Sequence, residues 1–250
     1  MLISVVVPFF NEIHLINRAV KSVFVQIEDN DNVEFEILIG NDGPYTNNEI
    51  INSIEAKYRD IVRIVKNQNL KGPGPARNCG LEVAKGDLIA FLDADDFWLP
   101  GKIKLQLDLY IRGFNFIATA YVFDSVDVVI LPPKPLIDDK LNVFKSLGIG
   151  TSTLLIASDL IKNMRFRNLR FSQDIDFWHR LSLQANFSFV AVNKSLVVYS
   201  TGGSTSNKFE QARSFWRVMS LNKISPFSKF IFFCNYAIRG VFNHLISRLH

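Results

Sequence analysis

Three carboxylates, Asp93, Asp95 and Asp96, fall within four positions directly after the apolar run Leu88–Leu92. Crowded like charges repel and raise one another's pKa. A hard divalent cation relieves that repulsion by taking carboxylate oxygen and sharing the rest of its shell with substrate phosphate. The chemistry on offer is the holding of a metal and, through it, of a nucleotide diphosphate. A solvated acidic turn after a core strand is the plainer alternative. A second group lies in Ser172-Gln-Asp-Ile-Asp-Phe-Trp-His-Arg-Leu181. At roughly 100° per residue, Asp174 shares a helical face with Phe177, Trp178, Leu181 and Ala185. A carboxylate opening an apolar face suits a base at the edge of a cleft, kept ionised by the helix N-terminus. A simple helix-start aspartate also accounts for it. Asp176 falls on the opposite side, one turn before Arg180, as an i,i+4 ion pair.

Two further strand ends carry polar groups, Asn11-Glu12 and Asn41-Asp42-Gly43. Asp42 could accept from a nucleobase N–H or a ribose hydroxyl, or simply make an Asn-Asp-Gly turn. Gly72–Gly80 reads as a rigid turn, Gly72-Pro73-Gly74-Pro75, leading into a helix that carries Arg77 in its first turn. Glycine lets backbone approach phosphate, a helix N-terminus favours anions, and the guanidinium fork matches phosphate oxygens. Neither GxxxxGK[ST] nor GxGxxG spacing is present, which excludes the P-loop and the dinucleotide fingerprint.

Strands and helices alternate through the first half and must bring these groups together. Strands are expected at Leu2–Val7, Phe35–Ile39, Ile61–Val65 and Leu88–Leu92. Helices are expected at Glu12–Gln26, from Thr46 to about Tyr58, Ala76–Ala84, and from Pro100 to about Arg112. This order predicts a mostly parallel, doubly wound α/β sheet. Its strand ends share one edge, where ligands bind. The second half is less regular. Strands are expected at Phe114–Phe123, Val126–Leu131, Thr153–Ala157, Phe187–Val192 and Leu196–Tyr199. Helices fit Asp159–Met164 and Ser172–Gln184, and loops fit Pro132-Pro133-Lys134-Pro135 and Gly202-Gly203.

Apolar residues make up 48% of the 250, which excludes a disordered chain. Cys79 and Cys234 stand far apart, excluding a disulfide framework and a thiolate zinc site and fitting a reducing compartment. Met1–Phe10 has no basic leader and no cleavage site, so it reads as a core strand and not a secretory signal. The net charge of +4 is uneven. No Asp or Glu follows Glu210, and six of the 28 Lys/Arg lie beyond it. The first 210 residues therefore hold 22 basic against 24 acidic groups, a net −2. The cationic tail indicates an anionic surface as partner. In it Phe227, Phe230, Ile231, Cys234, Ile238, Val241, Phe242, Leu245 and Leu249 trace a helical stripe, with Lys229, Arg239, His244 and Arg248 mostly off it. Charges interrupt it too often for a spanning helix. A basic helix with an aromatic face suits the membrane interface; packing back on the catalytic body is the alternative.

Taken in order, these pieces resemble the inverting family 2 glycosyltransferases of the GT-A fold, of the bacterial surface-polysaccharide type. Ser4–Glu12 resembles the opening nucleotide-binding strand. Glu36–Gly43 resembles the second, with Pro44 where a serine is usual. Ala76-Arg-Asn-Cys-Gly-Leu81 and Phe91-Leu-Asp-Ala-Asp-Asp96 resemble the ARN segment and the DxD motif. Gln173-Asp-Ile-Asp-Phe-Trp178 resembles the ED-containing helix, with Gln173 replacing the usual Glu. The resemblance covers about residues 1–205. Near Tyr199–Ser206 the His or Arg often found there is absent.

The resemblance implies a nucleotide-sugar half (1–112), an acceptor-binding and catalytic-base half (113–210) and a basic amphipathic helical tail (211–250). It implies a nucleoside diphosphate sugar donor, expected to be UDP-linked, and Mn²⁺ or Mg²⁺. Donor contacts would come from Pro8, Phe9, Phe10, Glu12, Asp42, Arg77, Asp93 and Ala94, and metal ligation from Asp95 with Asp93. Asp174 would be the base that activates an acceptor hydroxyl. The acceptor would be a glycan or an undecaprenyl-diphosphate-linked sugar. The expected location is the cytoplasm, peripheral at the inner face of the cytoplasmic membrane, with contact through the tail and no nucleic-acid partner. A metal-dependent nucleotidyltransferase and a non-catalytic sugar-nucleotide-binding subunit are the competing readings.

Overall fold

The computed structural model describes residues 1–28, 32–68, 70–131, 142–144, 148–201 and 208–246, without the side chains of 126–128, 208 and 238–246. The chain runs β1 (Leu2–Phe9), α1 (Ile16–Glu28), β2 (Glu34–Asn41), α2 (Asn47–Ser53), β3 (Val62–Lys66), α3 (Pro73–Val83), β4 (Leu88–Phe91), β5 (Phe97–Trp98) and α4 (Lys102–Ile111). It continues with β6 (Phe116–Phe123), β7 (Val126–Ile130), β8 (Leu154–Ala157), α5 (Ser158–Ile161), α6 (Gln173–Ser182), β9 (Phe189–Tyr199), α7 (Lys208–Leu221) and α8 (Pro226–Ile246). One sheet orders the strands β3-β2-β1-β4-β8-β6-β9-β5, with β7 on β6. The first four are mutually parallel; β8 joins antiparallel to β4 and β6, while β6 and β9 run parallel. The order reverses between β1 and β4, where a doubly wound sheet opens a crevice beyond its carboxyl ends.

Near-continuous apolar runs in β1, β2 and β4 follow from burial on both faces. Ile3, Val5 and Val7 of β1 meet Ile16, Ala19, Val20 and Val23 of α1 on one side. Val6 faces the other side with Phe91, Phe177 and Trp178. Close approach depends on glycine at two points. A Cβ at Gly40 would stand 2.0 Å from the Ala76 carbonyl oxygen, and one at Gly43 would stand 1.6 Å from that of Phe10. Gly40→Ala should therefore push α3, with Arg77, off β2. Overpacking of this kind costs about 1–3 kcal/mol. A melting curve should show the loss, and an unchanged midpoint would contradict the tight fit.

Several boundaries differ from expectation for physical reasons. Helix α3 begins at Pro73, so the expected turn is its first turn; first-turn amides lack partners anyway, which makes proline cheap there. Helix α1 starts at Ile16 because the Glu12 carboxylate bends back to the Phe10 and Asn11 amides, at 2.8 and 2.9 Å, and holds that stretch as a loop. The helix after Thr46 ends at Ser53, and a separate 3-10 turn covers Ala56–Ile61. The two strands expected after Phe187 are one, β9, whose register slips at polar Asn193-Lys194. The expected loops at Pro132–Pro135 and Gly202-Gly203 lie outside the described residues, as does the Leu249 end of the tail stripe.

The tail forms two helices that meet antiparallel, since Phe215 stacks on Tyr236 while Ser220 accepts from Lys229. Its packing face carries Phe215, Val218, Met219 and Phe232 against Phe144 and Leu169, with Phe233 and Tyr236 alongside. Of these, the α8 residues Phe232, Phe233 and Tyr236 lie off the expected stripe. The stripe residues Phe227, Phe230 and Ile231 stay exposed. Among the described residues no helix is long and apolar enough to cross a membrane. Cys79 and Cys234 are free thiols.

Candidate active site

The carboxyl ends of β1, β2 and β4 place their loops side by side. Asp42, almost fully buried, ties the ends of β1 and β2 to the loop after β3. Its amide donates to the Phe9 carbonyl at 2.8 Å. Its carboxylate accepts from the Asn67 side chain and the Gly72 amide, both at 2.8 Å, with Lys71 at 3.5 Å. Any contact with a nucleobase would use what acceptor capacity remains. Phe9 and Ala94 are buried, while Phe10 is exposed on the rim.

The acidic segment after β4 divides into three roles. Asp93 pairs with the buried guanidinium of Arg77, which also lies over the Phe166 ring at 5.6 Å. Arg77 was expected to face diphosphate; here one of its terminal nitrogens is taken by Asp93, and its Nε has no hydrogen-bond partner among the described residues. Asp96 is buried and accepts from the Ser152 hydroxyl at 2.6 Å and the Ser200 amide at 3.1 Å. Burial first, and then the Asp93 charge, push its pKa up to about 8. No side-chain hydrogen bond or ion pair reaches the Asp95 carboxylate among the described residues. Burial, Asp93 and Glu12 push its pKa up to about 6. Its backbone carbonyl accepts from Arg18 at 2.6 Å.

An acid of this kind wants a cation. Among the described residues no set of three or more His, Cys, Asp or Glu could hold a metal alone. Asp95 with Asp93 could hold Mn²⁺ or Mg²⁺ whose shell is completed by substrate phosphate, the usual arrangement for such ions. Both Asp95 and Asp96 are held above the 3.8 of a free aspartate. The folded protein then binds protons that the unfolded chain releases. Their contribution to stability is complete below about pH 4 and is lost as pH rises through about 6 and about 8. Added Mn²⁺ should therefore raise the melting temperature more at pH 8 than at pH 5. An equal rise at both would separate the cation from these carboxylates.

Asp174 lies at the start of α6, half-buried, and the side chain of the preceding Gln173 lies against Gly74 of α3. Burial raises its pKa, while the Ile175 amide and the Arg77 charge oppose the rise and Asp93 adds to it. Tyr121 on β6 is pushed up to about 12 by burial, by Asp174 and by Asp96. Asp174 and the acidic segment thus lie within electrostatic reach of the same Arg77, Asp93 and Tyr121. Asp176 is buried although it lies opposite the apolar face of α6. It pairs with Arg180 at 2.9 Å as the spacing predicts, yet it is fully buried and also accepts from Arg167 and Asn222, each at 2.8 Å. Helix α7 and the turn after it, which carries Asn222, cover the side that spacing alone leaves open.

Sequence reasoning passed over Ser152. Its hydroxyl accepts from the Asp93 amide and donates to Asp96, its carbonyl accepts from the Trp98 indole, and its amide donates to the Tyr199 hydroxyl. Ser152 lies 59 positions from Asp93, with no local pattern to mark it. A cavity of about 250 Å³ at the other end of β4, lined by Lys85, Gly86, Lys162 and Arg165 among others, shares no residue with this edge.

A sheet whose parallel part reverses order beside an acidic segment, continued by a mixed half that carries Asp174, has the GT-A arrangement. The Glycosyl transferase family 2 profile matches residues 4–169, and the chain belongs to that family. It is 25% identical to WfgD of Escherichia coli, a UDP-Glc:alpha-D-GlcNAc-diphosphoundecaprenol beta-1,3-glucosyltransferase, over 97% of this chain and 95% of that one. It is 29% identical to TuaG of Bacillus subtilis, a putative teichuronic acid biosynthesis glycosyltransferase, over 87% and 86%. The fold is similar to S. aureus TarS 1–349 solved with UDP-GlcNAc, at a TM-score of 0.66 and 19% identity, covering 88% of this chain and 65% of that one.

Proposed function

We propose that this enzyme transfers a sugar from a UDP-sugar to a hydroxyl of an undecaprenyl-diphosphate-linked sugar, inverting the anomeric centre, in the synthesis of a surface polysaccharide. The carrying observation is the Asp93–Arg77 pair at the β4 edge, with Gln173, the residue before Asp174, against Gly74 of the helix that carries Arg77. One carboxylate stands ready as base beside another group of carboxylates suited to a cation. The near full-length similarity to WfgD supports the lipid-linked acceptor.

In this reading Asp174 accepts the proton of the acceptor hydroxyl as its oxygen attacks the anomeric carbon. The bond from that carbon to the diphosphate breaks on the opposite face, and UDP departs with the electron pair. Asp95, with Asp93, would hold a Mn²⁺ or Mg²⁺ ion, which when bound would supply charge stabilisation to the leaving diphosphate. The Pro8–Phe10 backbone and Ala94 border the donor, Glu12 fixes the loop beside it, Asp42 anchors the base-binding turn, and Arg77 holds Asp93 in place. Gln173 in place of Glu leaves the base itself intact. The same reading puts the enzyme at the inner face of the cytoplasmic membrane, touching it through the C-terminal tail.

The test is a screen of free UDP-sugars against a synthetic prenyl-diphosphate-linked GlcNAc, read by mass spectrometry. A product heavier by one hexosyl or N-acetylhexosaminyl residue, with UDP released, supports the assignment. Pyrophosphate release from a nucleoside triphosphate and a sugar phosphate would instead identify a nucleotidyltransferase. UDP binding with no turnover on any donor would identify a binding subunit.

A further inference from the structure

Among the described residues the α7–α8 hairpin carries aromatic rings on two faces, one packed against the body and one largely exposed, with Trp216 at its border edge-on to Phe233. On the inner face Tyr236 stacks on Phe215 at 4.6 Å and Phe232 on Phe144 at 5.9 Å. Ile175, the residue after Asp174, packs into that same cluster. The outer face leaves Phe209, Phe227 and Phe230 at 75%, 76% and 65% exposure, with Trp216, Leu221 and Ile231 also open. Arg213, Arg217 and Lys223 are exposed among them. Lys229 lies over the Trp216 ring, 6.0 Å from its centroid. Glu210, at the start of α7, is the last acidic residue of the chain.

We infer that this outer face docks the protein on an anionic bilayer, with the aromatic rings at the headgroup boundary and the cations on lipid phosphate. The inference rests on the proposed lipid-linked acceptor and names the surface that would meet it. The charge pattern chooses the occupant. A second copy of the same face would bring cation against cation, which disfavours self-association. An anionic membrane offers the opposite sign, and aromatic rings set among lysines and arginines are the composition of an interfacial helix. The arrangement has a geometric consequence for the reaction. The hairpin's inner side borders the helix that carries Asp174, so docking brings the base to the membrane from which a lipid-diphosphate acceptor projects.

The test is co-sedimentation of the full chain with vesicles of phosphatidylcholine alone and of phosphatidylcholine with about one third phosphatidylglycerol. Binding should be at least about tenfold tighter on the anionic vesicles and weaken with salt. F227S/F230S and R217S/K223S should each lose about tenfold in vesicle binding. Both should keep the wild-type circular dichroism spectrum and wild-type turnover of a water-soluble short-chain acceptor. Equal binding to neutral vesicles, or variants that bind like wild type, would overturn the inference. So would absent vesicle binding combined with a dimer, by light scattering, that F227S/F230S dissolves. The soluble-acceptor assay separates the two ideas: loss of vesicle binding with turnover intact leaves the proposed activity standing, and an inactive protein that still docks does the reverse.

Discussion

Replacing Asp174 by asparagine is expected to lower kcat by roughly 10²–10⁴-fold, the range contributed by a positioned general base. The change keeps the side chain's size and removes only its ability to take a proton. On the proposed reading donor binding should survive, because it would draw on the β1, β2 and β4 loops and not on α6. A fall in kcat with the donor KM nearly constant is the signature of an interaction made in the transition state. The wild-type pH profile carries the same information. Burial holds Asp174 above the ordinary aspartate range. Activity should therefore climb as pH rises through that elevated value, and the variant should lose this limb. An Asp174→Asn enzyme with near-normal turnover would remove Asp174 from the mechanism.

Asp176→Ala should produce the largest loss of stability. Its carboxylate is fully buried and meets two guanidinium groups and one amide. Removing the anion leaves Arg180 largely buried without its counter-charge. Breaking buried pairs costs about 3–5 kcal/mol. The lower end applies because the Arg167 side chain is 41% exposed and can turn to water. For a chain of this size, 3 kcal/mol corresponds to roughly 6–12 °C in the melting midpoint. Asp176→Asn keeps an acceptor for one donor and should fall between. A midpoint within about 2 °C of wild type for the alanine variant would show that the buried cluster contributes little.

The two substitutions mark what the sequence made legible. Asp174 and the Asp93–Asp96 segment stand in local patterns, where apolar runs and crowded charges are visible residue by residue. Strands β1, β2 and β4 were readable for the same reason. Ser152 and Tyr199 were not, because their meaning is purely spatial: they reach the acidic segment from the mixed half of the sheet. Asp176 was half legible. Its spacing from Arg180 gave the ion pair, but periodicity cannot say that α7 closes over that side. The tail shows the same limit. A stripe of apolar residues identifies an amphipathic helix without saying which face finds a partner. Phe232, Phe233 and Tyr236 took the inner position and left Phe227, Phe230 and Ile231 of the stripe outside. Helix α3 misled in another way, since its prolines look like a turn until their first-turn position is known.

The Asn222–Asp176 bond also bears on how this chain can be re-engineered. The family match ends at residue 169, before both partners. Exchanging the C-terminal segment with that of a relative, to redirect the enzyme to a different surface, would look like a swap of a peripheral module. It would in fact withdraw one of the three side chains that donate to the buried Asp176 carboxylate of the helix beginning at Gln173. A working hybrid needs a donor at position 222, or α6 will be loosened by a change made 46 positions further along the chain.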